Sequence, residues 1–172
     1  MSTNERPFLF CLRDEFYWAH PITIKKIVKN VFICFGGTDQ NNLTDRVISI
    51  LSSLCIIHDI KLNVICGPGY MHFKELQKFK NRNTKLNISI IQSTNRISKY
   101  MESADIAITA AGRTVFELVS LNIPTIVICS NVRETTHTFA NINNGIVNLG
   151  HHVEVDDKRI EDEFKKLILD FN

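Results

Sequence analysis

Residues 105–129 read DIAITAAGRTVFELVSLNIPTIVIC, and the pattern of this stretch decides the fold class. Ile106, Ala107 and Ile108 form a short apolar run of the kind that becomes a buried strand. The run stops at Ala110-Ala111-Gly112, where a glycine permits a tight turn and lets a ligand approach the backbone. Arg113 to Leu121 carries Val115, Leu118 and Val119 on one helical face; Pro124 ends that helix, and Thr125 to Cys129 is a second apolar strand. Strand, glycine turn, helix and strand make a crossover that is normally right-handed, with its two strands parallel. The N–H groups that open the helix lack intrahelical partners and form an anion site. Glu117, one turn in, is placed to accept from a pair of hydroxyls beside that anion. An anion next to a diol points to a nucleotide.

The alternation of strand, turn and helix continues outward in both directions, with no internal repeat. Val31 to Phe35 is a strand running into Gly36-Gly37-Thr38-Asp39, and Leu43 to His58 has helical spacing at Leu43, Val47, Ile50, Leu51 and Leu54, with Asn42 or Thr44 as its cap. Leu62 to Cys66 is the next strand, closed by Gly67-Pro68-Gly69, and His72 to Lys80 is a helix. Leu86 to Ile91 is a strand and Arg96 to Ser103 a short helix. Beyond Cys129, the loop SNVRE leads to an expected helix over Thr135 to Ile142, a strand over Gly145 to Leu149 and a closing helix over Ile160 to Phe171. Towards the N-terminus, residues 1 to 7 read as disordered, Phe8 to Leu12 as a strand, and Ile22 to Lys29 as either a strand or a helical turn. Alternation of this kind predicts an α/β fold: a doubly wound, mostly parallel, six-stranded Rossmann-like sheet with helices on both faces. The loops at Gly36, Gly67, Ser93, Ala111 and Ser130 should then all leave the C-terminal strand ends, where such sheets bind ligands.

The chain has 172 residues, enough for one domain that buries about 70% of its unfolded surface. A net charge of +2 without a basic block argues against a nucleic-acid surface. Five cysteines, with no C-x-x-C pair, argue against structural zinc and point to reduced thiols and the cytoplasm. The N-terminus lacks the apolar core of a signal peptide, and no apolar run approaches the roughly 20 residues that span a bilayer. No metal site and no cofactor are expected.

GGTDQNN follows a strand and precedes a helix, so its N–H groups and the Thr38 hydroxyl are able to cradle phosphate. It is neither the dinucleotide fingerprint nor a P-loop. A tight turn without a ligand explains it equally well on its own, but AAGRT is a second loop of the same kind opening on the same crevice. Glu117 also has a plain alternative, since acidic residues favour the first turns of helices. Arg133 to His137 form a polar cluster that either contacts a sugar or simply caps a helix. His151-His152 reads as a solvated turn, and Phe16-Tyr17-Trp18 as packing or the scar of a missing neighbour.

Four stretches together resemble the C-terminal half of a GT-B nucleotide-sugar enzyme: LRDEF at 12–16, FGGTDQNNLT at 35–44, SADIAITAAGRTVFELVSLNIPTIVI at 103–128 and RETTHTFANINNGIVNLG at 133–150. The resemblance is to the predicted glycosyltransferases of spore-coat polysaccharide synthesis and the UDP-sugar hydrolase of pseudaminic acid synthesis, and more distantly to the N-acetylglucosaminyltransferase that makes lipid II. It implies a UDP-sugar ligand. Gly36, Gly37 and Thr38 would lie against the diphosphate, Arg96 and Ile97 would hold the base, and Ala111, Gly112, Arg113 and Thr114 would face the phosphates. Glu117 would bind the ribose, while Asp39, Asn42, Glu134 and Thr135 would approach the sugar. Glu134 or Thr135 stands where the lipid II enzyme carries glutamine. The resemblance also divides the chain into a crossover segment, 1–21, and a nucleotide-sugar-binding domain, 22–172.

In GT-B enzymes the acceptor site and the usual base belong to an N-terminal domain that this chain does not match. The expectation is therefore the donor-binding half of a glycosyltransferase or nucleotide-sugar hydrolase of surface glycan synthesis, with little activity by itself. The alternatives are a non-catalytic assembly domain that docks to a separate N-terminal partner chain, and an epimerase-like half.

Overall fold

The computed structural model describes residues 12–169. Six strands form one sheet in the order β3-β2-β1-β4-β5-β6, and every neighbouring pair is parallel. They are β1 (Asn30–Cys34), β2 (Lys61–Cys66), β3 (Ile88–Gln92), β4 (Ile106–Thr109), β5 (Thr125–Cys129) and β6 (Ile146–His151). Between and after them run α1 (Leu43–Ile57), α2 (Phe73–Arg82), α3 (Ile97–Glu102), α4 (Thr114–Ser120), the single turn α5 (Val132–Thr135) and α6 (Asp157–Leu169). This is the doubly wound α/β architecture expected from the alternation of apolar runs and helical spacings.

The strands alternate strictly, and each face has its own helices. Val31, Ile33 and Phe35 join Val47, Leu51, Leu76, Ile160 and Phe164 from α1, α2 and α6. Phe32 and Cys34 point the other way, onto Ile97 and Met101 of α3 and Leu118 of α4. Val115 of α4 also packs with Val127, Cys129 and Ile146 at the β5–β6 side. Central strands buried on both faces read as continuous apolar runs, which is why VFIC, IAIT and TIVIC were legible without a period of two.

The lower, N-terminal end of the sheet is closed by Asp105. Its buried carboxylate accepts from the N–H groups of Lys29 and Asn30 at 2.8 and 2.7 Å and pairs with Lys25 Nζ at 2.8 Å. The start of β4 is thereby tied to the start of β1.

Three local expectations are corrected. Residues 22–29 form neither strand nor helical turn, because Ile22 is held by Leu121 O and the segment then crosses to Asp105 through Lys25 and Lys29. The helix expected over Thr135 to Ile142 begins earlier and is only one turn, Val132–Thr135. Asn131 caps it by accepting from Glu134 N. Asn141 and Asn144 then bond to the carbonyls of Thr138 and Phe139, local bonds that compete with helix continuation. Finally, α1 is capped neither by Asn42 nor by Thr44. The Asp39 carboxylate does this, accepting from Leu43 N at 2.9 Å and Thr44 N at 2.8 Å. The expected strand over Phe8 to Leu12 falls, apart from Leu12, outside the described residues, as does the disorder expected for residues 1 to 7.

Candidate functional site

The strand order reverses between β1 and β4, since the chain first builds outward to β3 and then returns to the other side of β1. Ligands of open α/β sheets bind beyond the C-terminal ends of strands at such a reversal. A cleft of about 630 Å³ lies there, lined by the turns that leave β1, β2, β3, β4 and β5. The two glycine turns, some 75 residues apart in sequence, open on the same space.

The first turn is shaped by its backbone. Gly36 has φ of +81°, a region that favours glycine. Beneath it, Gly67 leaves no room for any side chain: a Cβ there would lie 2.3 Å from Gly37 O and 2.5 Å from Gly36 O. Gly69 N donates to Gly37 O at 3.0 Å. The turn after β1 therefore rests directly on the turn after β2, with nothing but backbone between them.

Five further contacts join the cleft walls. Thr109 Oγ1 donates to Cys34 O at 2.6 Å across the β1–β4 floor. Asn41 Nδ2 donates to Ser130 O at 2.7 Å, linking the β1 turn to the β5 loop. Glu134 Oε2 accepts from Ser130 N at 2.7 Å and from Ala111 N at 3.2 Å, so one carboxylate straps the β4 and β5 turns together. His137 holds the same residue through the next peptide unit, its Nδ1 lying 2.5 Å from Ala111 O. A carbonyl can only accept, so Nδ1 carries the proton in that contact.

Glu117 is buried on α4 and lines the cleft. Both of its oxygens are engaged by Arg13, Nε to Oε1 and Nη2 to Oε2, each at 2.6 Å. Fork-on-fork pairing of this kind fixes both partners in one plane. It also raises the Arg13 pKa, chiefly through the Glu117 hydrogen bond, against an opposing cost of burial. The guanidinium sits 5.6 Å above the Phe16 ring, and Phe16 is buried under α3 and α4. At the floor of the cleft the Cys34 and Cys66 thiols are pushed up by burial, Cys66 to about 12.

Of the residues expected from the sequence, Gly36, Gly37, Thr38, Asp39, Ile97, Gly112, Arg113, Thr114, Glu117 and Glu134 line this one cleft. Arg96, Ala111, Asn42 and Thr135 are not on its wall. Ala111 is buried behind it, presenting its N–H to Glu134. Asn42 Oδ1 accepts from Tyr70 OH at 2.5 Å, and Thr135 Oγ1 donates to Val132 O within its own turn. Asp39 and Glu134 face the cleft with carboxylates already engaged by backbone N–H groups. Arg113 is exposed and, among the described residues, forms no ion pair. The sequence reading assigned no individual contact to Arg13, Gly67, Ser93, Thr94 or Asn41, although all five line the cleft. It did place Gly67 and Ser93 on loops at the ligand-binding strand ends, and Arg13 and Asn41 lie inside the resembling stretches LRDEF and FGGTDQNNLT. Among the described residues no helix is long and apolar enough to cross a membrane, and no group of three or more His, Cys, Asp or Glu side chains is gathered as metal ligands.

Known proteins resemble this chain in sequence and in fold. The chain is 34% identical over 130 residues to the uncharacterized protein MJ1062 of Methanocaldococcus jannaschii, covering 73% of this chain and 26% of that protein. It is 27% identical over 135 residues to the spore coat polysaccharide biosynthesis protein SpsG of Bacillus subtilis, covering 78% of this chain and 39% of that one. It thus spans well under half the length of either relative. Among solved structures, MurG of Acinetobacter baumannii superposes with a TM-score of 0.64 at 18% identity, over 92% of this chain and 46% of MurG. The structure of TarM gives 0.65 at 14% identity, over 89% and 30%. Likeness at such identities is one of fold, that of one half of a GT-B glycosyltransferase. The family model for the glycosyltransferase family 28 C-terminal domain matches residues 30–171, and the chain belongs to that family.

Proposed function

We propose that this domain binds a UDP-sugar and serves as the donor half of a glycosyltransferase or nucleotide-sugar hydrolase of surface polysaccharide synthesis. One observation carries the reading: two glycine turns, far apart in sequence, meet over a single cleft whose wall includes a buried carboxylate. The backbone N–H groups of the turns suit a diphosphate, and unpaired Arg113 at the same wall adds positive charge. Each oxygen of Glu117 accepts one bond from Arg13 and retains a lone pair for a ribose hydroxyl. In this reading Gly36, Gly37, Thr38, Gly112, Arg113 and Thr114 face the phosphates, and Ile97 the base. Catalysis would rest on stabilising the leaving diphosphate by fixed donors. Ala111, Glu134 and Asp39 shape the cleft rather than touch the sugar.

The acceptor and the base would come from a second domain, either covalently preceding or on a partner chain. Tyr17 and Trp18 support such docking: they stand edge to face at 4.9 Å and are 81% and 77% exposed, a few residues along the chain from Leu12 and Arg13, which line the cleft. A cytoplasmic setting is part of the reading, supported by four buried free thiols among the described residues.

A thermal-shift panel with UDP, GDP, CMP and TDP tests it. UDP should stabilise most, by about 2.7 kcal/mol at 100 times its Kd, and Glu117→Ala should weaken the response to UDP and narrow its lead over TDP, which lacks the 2′-hydroxyl. Equal response to all four nucleotides, unchanged in Glu117→Ala, would sink the reading.

A further inference from the structure

We propose that the turn Arg13–Phe16 is the positioning element for the nucleoside end of the cleft: Arg13 holds the acid that grips the pentose, and Glu15 holds the start of the neighbouring helix. This deepens the preceding reading and rests on it. Two contacts carry the inference, and both cross more than 80 residues of chain. Arg13 clamps Glu117 through two bonds of 2.6 Å. Glu15 Oε2 accepts from Ser98 N at 2.9 Å, satisfying an amide in the first turn of α3 beside Ile97.

The geometry explains why one short turn serves both walls. Arg13 stands at the N-cap of the single 3-10 turn Asp14–Tyr17 and Glu15 lies within it, while the turn's Phe16 is buried between α3 and α4. With Phe16 as the pin, Arg13 is delivered to α4 and Glu15 to α3. Their side chains also lie 3.7 Å apart, so the two arms brace one another. Glu117 has no other cationic partner among the described residues. Its side chain is 5% exposed and Arg13's is 45% exposed, so the acid is fixed in the wall while the guanidinium is reachable from the cleft. An isolated carboxylate in that position has several rotamers and no reason to present both oxygens to a diol. Paired side by side with Arg13, it has one orientation. Arg13 is thus a positioning residue that acts through Glu117, and Glu15 one that acts through α3.

The division of labour makes a selectivity prediction. A residue that only maintains the fold changes the fraction of competent protein, and this lowers the apparent binding of every nucleotide alike. A residue that orients the diol-gripping acid changes the ratio of affinities for UDP and 2′-deoxy-UDP. Calorimetric titration of both nucleotides against the wild type, Arg13→Met, Arg13→Lys and Glu15→Ala separates these cases. The wild type should prefer UDP by about tenfold, the effect of one hydrogen bond to a charged group. Arg13→Met should bring the preference within about twofold, and Arg13→Lys, with its charge but no fork, should fall between the two. Glu15→Ala should weaken both nucleotides together and keep the ratio. If Arg13→Met does not fold, a ratio reduced in Arg13→Lys supports the proposal, and a ratio at the wild-type value overturns it. A preference retained in both Arg13 variants, or lost as fully in Glu15→Ala, overturns it while leaving UDP binding intact. A wild type that binds neither nucleotide overturns the underlying reading of the cleft, and this inference with it.

Discussion

Gly67 shows how much of the cleft is decided by an atom that is missing. A Cβ there would meet Gly37 O, Gly37 Cα and Gly36 O at 2.3, 2.4 and 2.5 Å, all of them backbone that cannot rotate aside. Gly67→Ala should therefore destabilise the fold by about 1–3 kcal/mol, as overpacking does, and displace the β1 turn. Urea denaturation should show the lower midpoint, and titration with UDP a weakened affinity. Gly112 is the control: a Cβ there meets nothing within 4 Å, so Gly112→Ala should leave the midpoint unchanged. The sequence singled out Gly36 and Gly37 because they follow an apolar run, yet it could not reveal that Gly67 underlies them. That contact depends on two turns, 30 residues apart, meeting across neighbouring strands. Arg13 was hidden for the same reason, since its partner lies 104 residues away.

At the scale of elements, local chemistry was misread wherever a tertiary contact or a rival local bond prevailed. Asn42 occupies the expected cap position of α1 but adopts φ of +51° and gives its side chain to Tyr70. Asp39, three residues earlier and itself at φ +41°, turns its carboxylate back onto the two orphan N–H groups. Asp39→Ala should cost about 1–2 kcal/mol, the usual price of a lost cap. Asp39→Asn should cost less, because asparagine tolerates a positive φ and keeps one acceptor oxygen. Thermal unfolding of the two variants tests that ranking. The strands were far easier to recognise. Six mainly apolar runs bounded by turn residues define them, with boundaries moving by at most two residues even where Asn63, Ser89 and Asn148 interrupt β2, β3 and β6.

For the whole molecule, the buried thiols set a limit on alkaline stability. Burial pushes Cys55 and Cys66 to about 12 and Cys129 to about 11, against 9.0 for an ordinary thiol. In the native state these groups keep their protons to higher pH than in the unfolded chain. Their contribution is complete below pH 9 and is lost as pH rises from there towards 11 and 12. The melting temperature should fall progressively above pH 9, and replacement of Cys55 by alanine or serine should flatten that slope. Cys66 in the native protein should also react slowly with a thiol reagent at pH 8, since burial holds its pKa at about 12 and keeps it protonated there.

Asp105 has a further consequence, for the order of events on the ribosome. It receives the N–H of Asn30 from 75 residues back, so β1 has only β2 beside it until β4 has been made. At about 5–20 residues per second, the interval is roughly 4–15 s. Throughout it this apolar strand presents at least one unpaired flank, an invitation to a chaperone or to a neighbouring nascent chain.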